Sequence, residues 1–176
     1  MRKVLALVFC LSILFIATRA ILAEQAKRAS PHEQVSAVLD GKKVTIEYGR
    51  PLMKGRKIFG KLVPFGEVWR TGADEATTLS SEANLNIGGL KVPKGTYSLF
   101  TLPGEKEWTL IVNKNAKQWG AYSYDAKQDL GRTKLAVRAI PTPVEQFTIT
   151  LDAQGKKGTL KMSWEQTEAS VAVTVE

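Results

Sequence analysis

The chain has 176 residues, of which 44% are hydrophobic and 24% charged, and its formal net charge is +8. This composition fits one ordinary globular domain and excludes a disordered, collagenous or multi-span membrane protein. With one cysteine, Cys10, and one histidine, His32, the chain can form neither an internal disulfide nor a Cys/His zinc cluster. We predict no metal site and no cofactor.

The N-terminal residues have the pattern of an export signal. Arg2 and Lys3 precede an apolar run over residues 4–17. This run is shorter than the roughly 20 apolar residues that a membrane-spanning helix needs. Small residues follow it, so we predict a cleaved signal helix over residues 1–23 and a short leader over 24–30. An uncleaved N-terminal anchor is the alternative.

Cleavage would change the charge and the cysteine content of the chain. It would remove three basic residues and no acidic one, which lowers the net charge to +5. It would also remove Cys10, and a chain without cysteine suits an oxidising compartment. We therefore predict an exported protein, periplasmic or extracellular, with no stable membrane span after cleavage. Most of the remaining basic residues are interspersed with acidic ones, which argues against a nucleic-acid partner.

Beyond the leader the pattern is that of β-strands. Apolar and polar residues alternate with a period of two, which is typical of strands with one buried face. The alternating runs cover residues 44–48, 85–87, 147–151, 160–164 and 171–175. The pairs Asp40-Gly41 and Gly88-Gly89 indicate tight hairpin turns between strands. Around ten short strands predict an all-β antiparallel β-sandwich, jelly-roll-like or a partly closed barrel, as one domain over residues 31–176.

One long connection interrupts this strand pattern. Residues 48–61 contain five basic residues and no acidic one, and residues 62–77 add large apolar side chains. Long loops inside compact domains are usually either functional or disordered. Because the apolar side chains need burial, we predict an ordered loop that packs over one end of the sheet.

The same loop carries a family resemblance. The segments concerned are Arg50-Pro51, GRKIFG at residues 55–60, LVPFG at 62–66 and WRTGADEAT at 69–77, with Gly95–Leu99, Trp108–Asn113, Trp119-Gly120 and Leu160–Glu165 further along. Together they resemble the bacterial family called domain of unknown function 2911, over roughly residues 31–176. Many relatives have Asn at the position of Asp74. The resemblance implies an exported bacterial β domain, and it assigns no activity.

The arginines of the loop form the predicted ligand site. Arginine presents a planar fork suited to carboxylate or phosphate, and ligand sites commonly have aromatic walls. The predicted ligand-binding residues are Tyr48, Arg50, Arg56, Trp69, Arg70, Thr71, Asp74 and Glu75. A second-choice ligand wall consists of Trp119, Tyr122 and Tyr124. In the alternative interpretation these arginines only lock the loop through ion pairs, so the two interpretations differ in whether a guanidinium is left unpaired.

Three functions are compatible with this pattern. The first is a non-catalytic module that binds an anionic or sugar-like ligand, or an envelope partner, through the loop of residues 48–77. The second is a small hydrolase that uses Asp74 and Glu75 with Arg70 as an electrostatic helper, although adjacent side chains on an extended strand point to opposite faces. The third is a purely structural envelope protein. His32 is predicted to be solvated or to lie at a strand edge, without a catalytic or metal-binding role.

Overall fold

A computed structural model describes residues 28–176; the predicted signal helix over residues 1–23 lies outside these residues, as does the leader up to residue 27. Nine strands make up most of the described chain: β1 His32–Leu39, β2 Lys42–Gly49, β3 Thr77–Ser81, β4 Leu85–Ile87, β5 Leu90–Val92, β6 Gly95–Leu102, β7 Trp108–Asn113, β8 Asp129–Gln154 and β9 Lys157–Val175. Helical structure in this part of the chain is limited to one 3₁₀ turn at Ala126–Gln128. No helix found here is long and apolar enough to cross a membrane.

The strands form one antiparallel sheet in the order β1-β2-β3-β6-β7-β8-β9-β4-β5. The all-β antiparallel prediction is therefore confirmed. The order has two ends, at β1 and at β5, so the sheet does not close into a barrel. The predicted hairpin turns are also present: Asp40 and Gly41 have φ values of 50° and 75°, and Gly88 and Gly89 have values of 55° and 91°. Positive φ at both turn residues matches the twist of the flanking strands.

Two of the strands are much longer than the alternation predicts. β8 has 26 residues and β9 has 19. β8 pairs with β7 up to Leu135 and with β9 from Ala136 onward, so it connects β7 and β9 within the sheet. Its ladder with β9 is interrupted between Ala139 and Val144. Pro141 and Pro143 lie in this interruption, because proline has no N–H to give to a ladder.

A single aromatic group occupies the centre of the core. It combines Trp108 of β7, Phe147 of β8 and Trp164 of β9 with Phe59 and Trp69 of the long loop. The rings of Trp69 and Trp164 are stacked with centroids 6.0 Å apart, and Phe59 meets Trp108 edge-on at 4.7 Å. The loop over residues 50–76, which contains no strand of its own, is thus ordered because its aromatic side chains complete the core.

Candidate functional site

Trp69 holds the candidate site against the sheet. Its side chain is only 9% exposed, and its indole N–H donates to the carbonyl of Gly72 at 3.1 Å. Its backbone exchanges two hydrogen bonds with Thr101 of β6, at 2.8 and 2.9 Å. Trp69 was predicted as a ligand wall; it borders the cleft described below, but most of its ring lies among the core aromatics.

The turn after Trp69 is tight and locally strained. Thr71 and Asp74 have φ values of 58° and 63°, in the left-handed region that side chains other than Asn and Asp rarely adopt. The Thr77 hydroxyl donates to the Thr71 carbonyl at 2.6 Å, and the Thr71 hydroxyl is fully buried against Thr101. Thr71, a predicted ligand-binding residue, thus makes hydrogen bonds to other residues of the protein. Gly49 passes so close that an added Cβ would lie 2.2 Å from the Ala73 carbonyl oxygen.

Asp74 and Glu75 bind the segment that precedes β1. The two carboxylate oxygens of Asp74 accept hydrogen bonds from the backbone N–H groups of Ala29 and Ser30, each at 3.1 Å. Glu75 pairs with Arg28, whose Nη2 lies 2.8 Å from Glu75 Oε1. Both carboxylates, predicted as ligand-binding and as candidate catalytic residues, therefore hold the N-terminal segment in place.

His32, the first residue of the edge strand β1, joins this group, although it was not among the predicted site residues. Its Nε2 lies 3.1 Å from Glu75 Oε2 and 3.5 Å from Asp74 Oδ2, at angles that do not make hydrogen bonds. The strand register explains the approach, because His32 pairs with Gly49, and the Gly49 carbonyl accepts from the Ala73 N–H. No signal within the sequence around His32 could have revealed this contact.

Two of the three predicted arginines have protein partners. Arg50 donates to the Phe147 carbonyl at 3.1 Å and to the Thr148 hydroxyl at 2.9 Å, and it forms an ion pair with Glu33. Arg56 donates to the carbonyls of Met53 and Leu52, at 2.8 and 2.6 Å, and so closes its own turn. For these two arginines, the contacts match the alternative in which the arginines hold the loop in place.

Arg70 differs from both. Its Nε is buried and has no hydrogen-bond partner, and the guanidinium makes no ion pair within residues 28–176. A buried donor left unsatisfied costs about 1–3 kcal/mol, and more when the group is charged. Arg70 is thus the predicted arginine whose charge is left available to a ligand.

A cleft of about 380 Å³ lies beside Arg70. Its walls come from the N-terminal segment at residues 29–31, the loop and β9; among them are Lys54, Arg56, Trp69, Asp74 and Trp164. The cleft is within the size range of small-molecule sites, and polar and apolar groups share its walls. Glu75 is not among its lining residues, so Asp74 and Glu75 do not face this cleft together.

The second-choice wall lies next to the strained turn. Trp119 pairs with Glu75 through an isolated bridge, and the Gly120 N–H donates to the Asp74 carbonyl at 2.9 Å. Trp119 is 45% exposed and Tyr122 is 88% exposed. Tyr124 is instead half-buried against Phe100, and its hydroxyl lies 2.8 Å from Asp129 Oδ2.

Tyr48, also a predicted ligand residue, is a core side chain. It is 2% exposed, its oxygen accepts the Ile149 N–H at 2.9 Å, and its ring meets Phe147 edge-on. Burial is the main cause that raises the pKa of Tyr48 above its ordinary value of 10.0. The folded protein therefore holds the phenol proton more tightly than the unfolded chain does.

This raised pKa predicts a loss of stability in alkali. As pH rises, the unfolded chain loses the Tyr48 proton first, so the free energy of unfolding is unaffected below about pH 10 and falls from there to the folded-state pKa. Urea midpoints measured between about pH 9 and 11.5 are expected to fall more steeply for the wild type than for Tyr48→Phe. Tyr124, whose pKa burial also raises, is present in both proteins. If the urea midpoints of the wild type and Tyr48→Phe fell equally with pH, the prediction would be wrong.

Among residues 28–176, no group of three or more His, Cys, Asp or Glu side chains is arranged to hold a metal ion. His32, Asp74 and Glu75 are close together, but their contacts are those of an ion-pair cluster. No curated protein and no solved structure matches the chain. Over residues 30–173 the chain does match the family model described as "Protein of unknown function (DUF2911)", and it therefore belongs to that family, in agreement with the resemblance of the loop segments.

Proposed function

We propose that this domain is a non-catalytic module that binds an anionic group of a ligand at Arg70. The observation that carries the proposal is the buried Arg70 Nε, which has no partner within the described part of the chain. A carboxylate or phosphate oxygen would satisfy that donor with a charge-assisted hydrogen bond, which is about twice as strong as a neutral one. The energetic cost of leaving Arg70 unpaired would then be recovered on binding.

The charges around the cleft support an anion as the ligand. Lys54 and Arg56 line it together with Arg70. The negative charge on this wall is that of Asp74, and its two oxygens already accept backbone N–H groups of Ala29 and Ser30. Hydrogen bonds of this kind compensate a carboxylate locally, so the net field in the cleft favours a negative group.

The contacts of Asp74 and Glu75 favour a binding function over hydrolysis. A glycoside hydrolase of the usual kind would need two carboxyl groups that face the same bond of the substrate. Asp74 lines the cleft but bonds to the N-terminal segment, and Glu75 pairs with Arg28 outside the cleft. These contacts suit residues that position the walls of a site.

We further propose that the two ends of the sheet pack face to face as a sandwich, and that the protein works outside the cytoplasm. Support for the sandwich comes from the core, where Leu39 of β1 and Val92 of β5 belong to one cluster. Support for export comes from the signal pattern over residues 1–23. The ligand would then be a small anion, an acidic carbohydrate or an envelope component.

The test is a thermal-shift series on the full chain with acetate, succinate, phosphate and sugar acids. A ligand at a hundred times its Kd stabilises the folded state by about 2.7 kcal/mol, which raises Tm by about 5–11 °C for a domain of this size. We expect at least one anion to give such a shift and Arg70→Gln to abolish it.

Arg138→Gln is the matched control, because it removes the same charge from an exposed arginine that pairs with Glu168. This variant is expected to keep the full shift. Since Arg70→Gln removes a charge that has no ion-pair partner in the described chain, the Tm of this variant without ligand should not fall. A folded wild type that responds to no anion, or an equal loss in both variants, would overturn the proposal.

A further inference from the structure

We propose that the ligand bound at Arg70 is a sugar acid whose ring stacks on Tyr122 while its carboxylate reaches the guanidinium. This inference rests on the proposed function and names its ligand class. It is carried by the position of Arg70, which lines the cleft, relative to an exposed aromatic ring on the neighbouring segment, residues 119–124, which lies beside the cleft lining.

Arg70 and Tyr122 meet above Gly120. A Cβ added to Gly120 would lie 3.0 Å from two ring atoms of Tyr122 and 3.9 Å from Arg70 Nη1. The ring and the guanidinium therefore lie next to each other beside Gly120, on the side where any other residue would carry its side chain. Gly120 has a φ of 65°, so the backbone conformation there also favours glycine.

Tyr122 is presented to solvent on an anchored segment. It is more exposed, at 88%, than the other large hydrophobic side chains among residues 28–176, and its hydroxyl makes no hydrogen bond with them. The segment itself is fixed at both ends. Gly120 bonds to Asp74, and the Tyr124 hydroxyl bonds to Asp129 and accepts from Arg132 at 2.7 Å. The ring of Tyr122 is therefore available as a stacking surface on a segment that is held at both ends.

The chemistry of the two groups selects the ligand class. The guanidinium can bind the planar carboxylate through two parallel hydrogen bonds. An exposed tyrosine ring offers an apolar face of the size of a six-membered ring and a polar edge at its hydroxyl. A pyranose that carries a carboxylate presents an apolar ring face, hydroxyl groups and a single charge. Trp119, which is 45% exposed, offers a second face for an adjacent sugar unit.

The test uses isothermal titration calorimetry of the full chain with digalacturonate, the neutral disaccharide galactobiose, glucose 1-phosphate and acetate. Digalacturonate is expected to bind at least about tenfold more tightly than each of the other three. Tyr122→Ala is expected to weaken digalacturonate by about tenfold and to leave acetate unchanged, and Tyr122→Phe is expected to retain the wild-type affinity. Phe65→Ala, at an exposed aromatic residue that lines a different cleft, is the matched control.

The outcomes separate this inference from the proposed function. If acetate binds as tightly as digalacturonate and is lost in Arg70→Gln, Arg70 is an anion site without ring recognition, and only the sugar-acid inference fails. If glucose 1-phosphate binds more tightly than digalacturonate, the carboxylate class is wrong. If no anion binds to the folded protein, both proposals fail. Because Tyr122 makes almost no contact with the core, Tyr122→Ala should fold as the wild type does.

Discussion

Trp69→Ala is expected to lower the free energy of unfolding by about 3–5 kcal/mol, the range for removal of a buried tryptophan. The indole packs against Phe59 of the loop, Phe147 of β8 and Trp164 of β9, so its loss opens a cavity where the loop meets these two strands. The hydrogen bond from its N–H to the Gly72 carbonyl is lost as well. Urea unfolding of the two proteins, with the m-values compared, measures the effect.

Trp119→Ala is the natural control for this experiment. Trp119 lies in the same region of the fold, but it is 45% exposed and its bridge to Glu75 uses backbone groups. We expect a change within about 0.5 kcal/mol, as for other surface positions. If both substitutions cost the same, Trp69 does not act as the core residue that connects the loop to the sheet.

Asp74→Ala is expected to lower the free energy of unfolding by about 2–4 kcal/mol. The substitution removes the acceptor from two backbone N–H groups, those of Ala29 and Ser30, and it places alanine at a φ of 63°. A left-handed conformation costs an ordinary residue about 1–2 kcal/mol. Amide hydrogen exchange at residues 29 and 30 should accelerate strongly, because the N-terminal segment loses its attachment to the loop.

Asp74→Asn separates the two causes of this loss. Asparagine tolerates the left-handed conformation as aspartate does, but its amide has one acceptor oxygen where the carboxylate has two. We therefore expect an intermediate cost of about 1–2 kcal/mol, with faster exchange at one of the two amides. Unchanged exchange at both amides in Asp74→Ala would show that Asp74 does not hold the segment.

Local patterns predicted the local features of this fold. Alternation identified the half-buried strands, and paired turn residues identified the hairpins at Asp40-Gly41 and Gly88-Gly89, because both signals depend on neighbours in sequence. The length of β8 was missed, because its residues 138–143 include two prolines and are mostly exposed on both faces. This stretch has no period to detect, and β8 runs through it because β7 and β9 pair with the residues on either side.

Within the loop, the structure separates residues that the sequence could not distinguish. Arg50, Arg56 and Arg70 look alike in sequence, and only the partners decide between them: Arg50 meets Thr148 across 98 residues, whereas Arg70 meets none in the described chain. The role of His32 depends on a strand register and on a contact between Gly49 and Ala73. These contacts depend on the tertiary structure, and no local sequence preference encodes them.

The length of β8 has a mechanical consequence for the site. Asp129, at its start, holds Tyr124 of the stacking segment, and Phe147, near its end, packs on Trp69. A straight strand would place two residues so far apart in sequence about 60 Å from each other. Since both residues contact elements that border Arg70, β8 must bend between them, and Pro141 and Pro143 lie in the part that separates them. A ligand held between Arg70 and Tyr122 would therefore contact two elements that one strand supports.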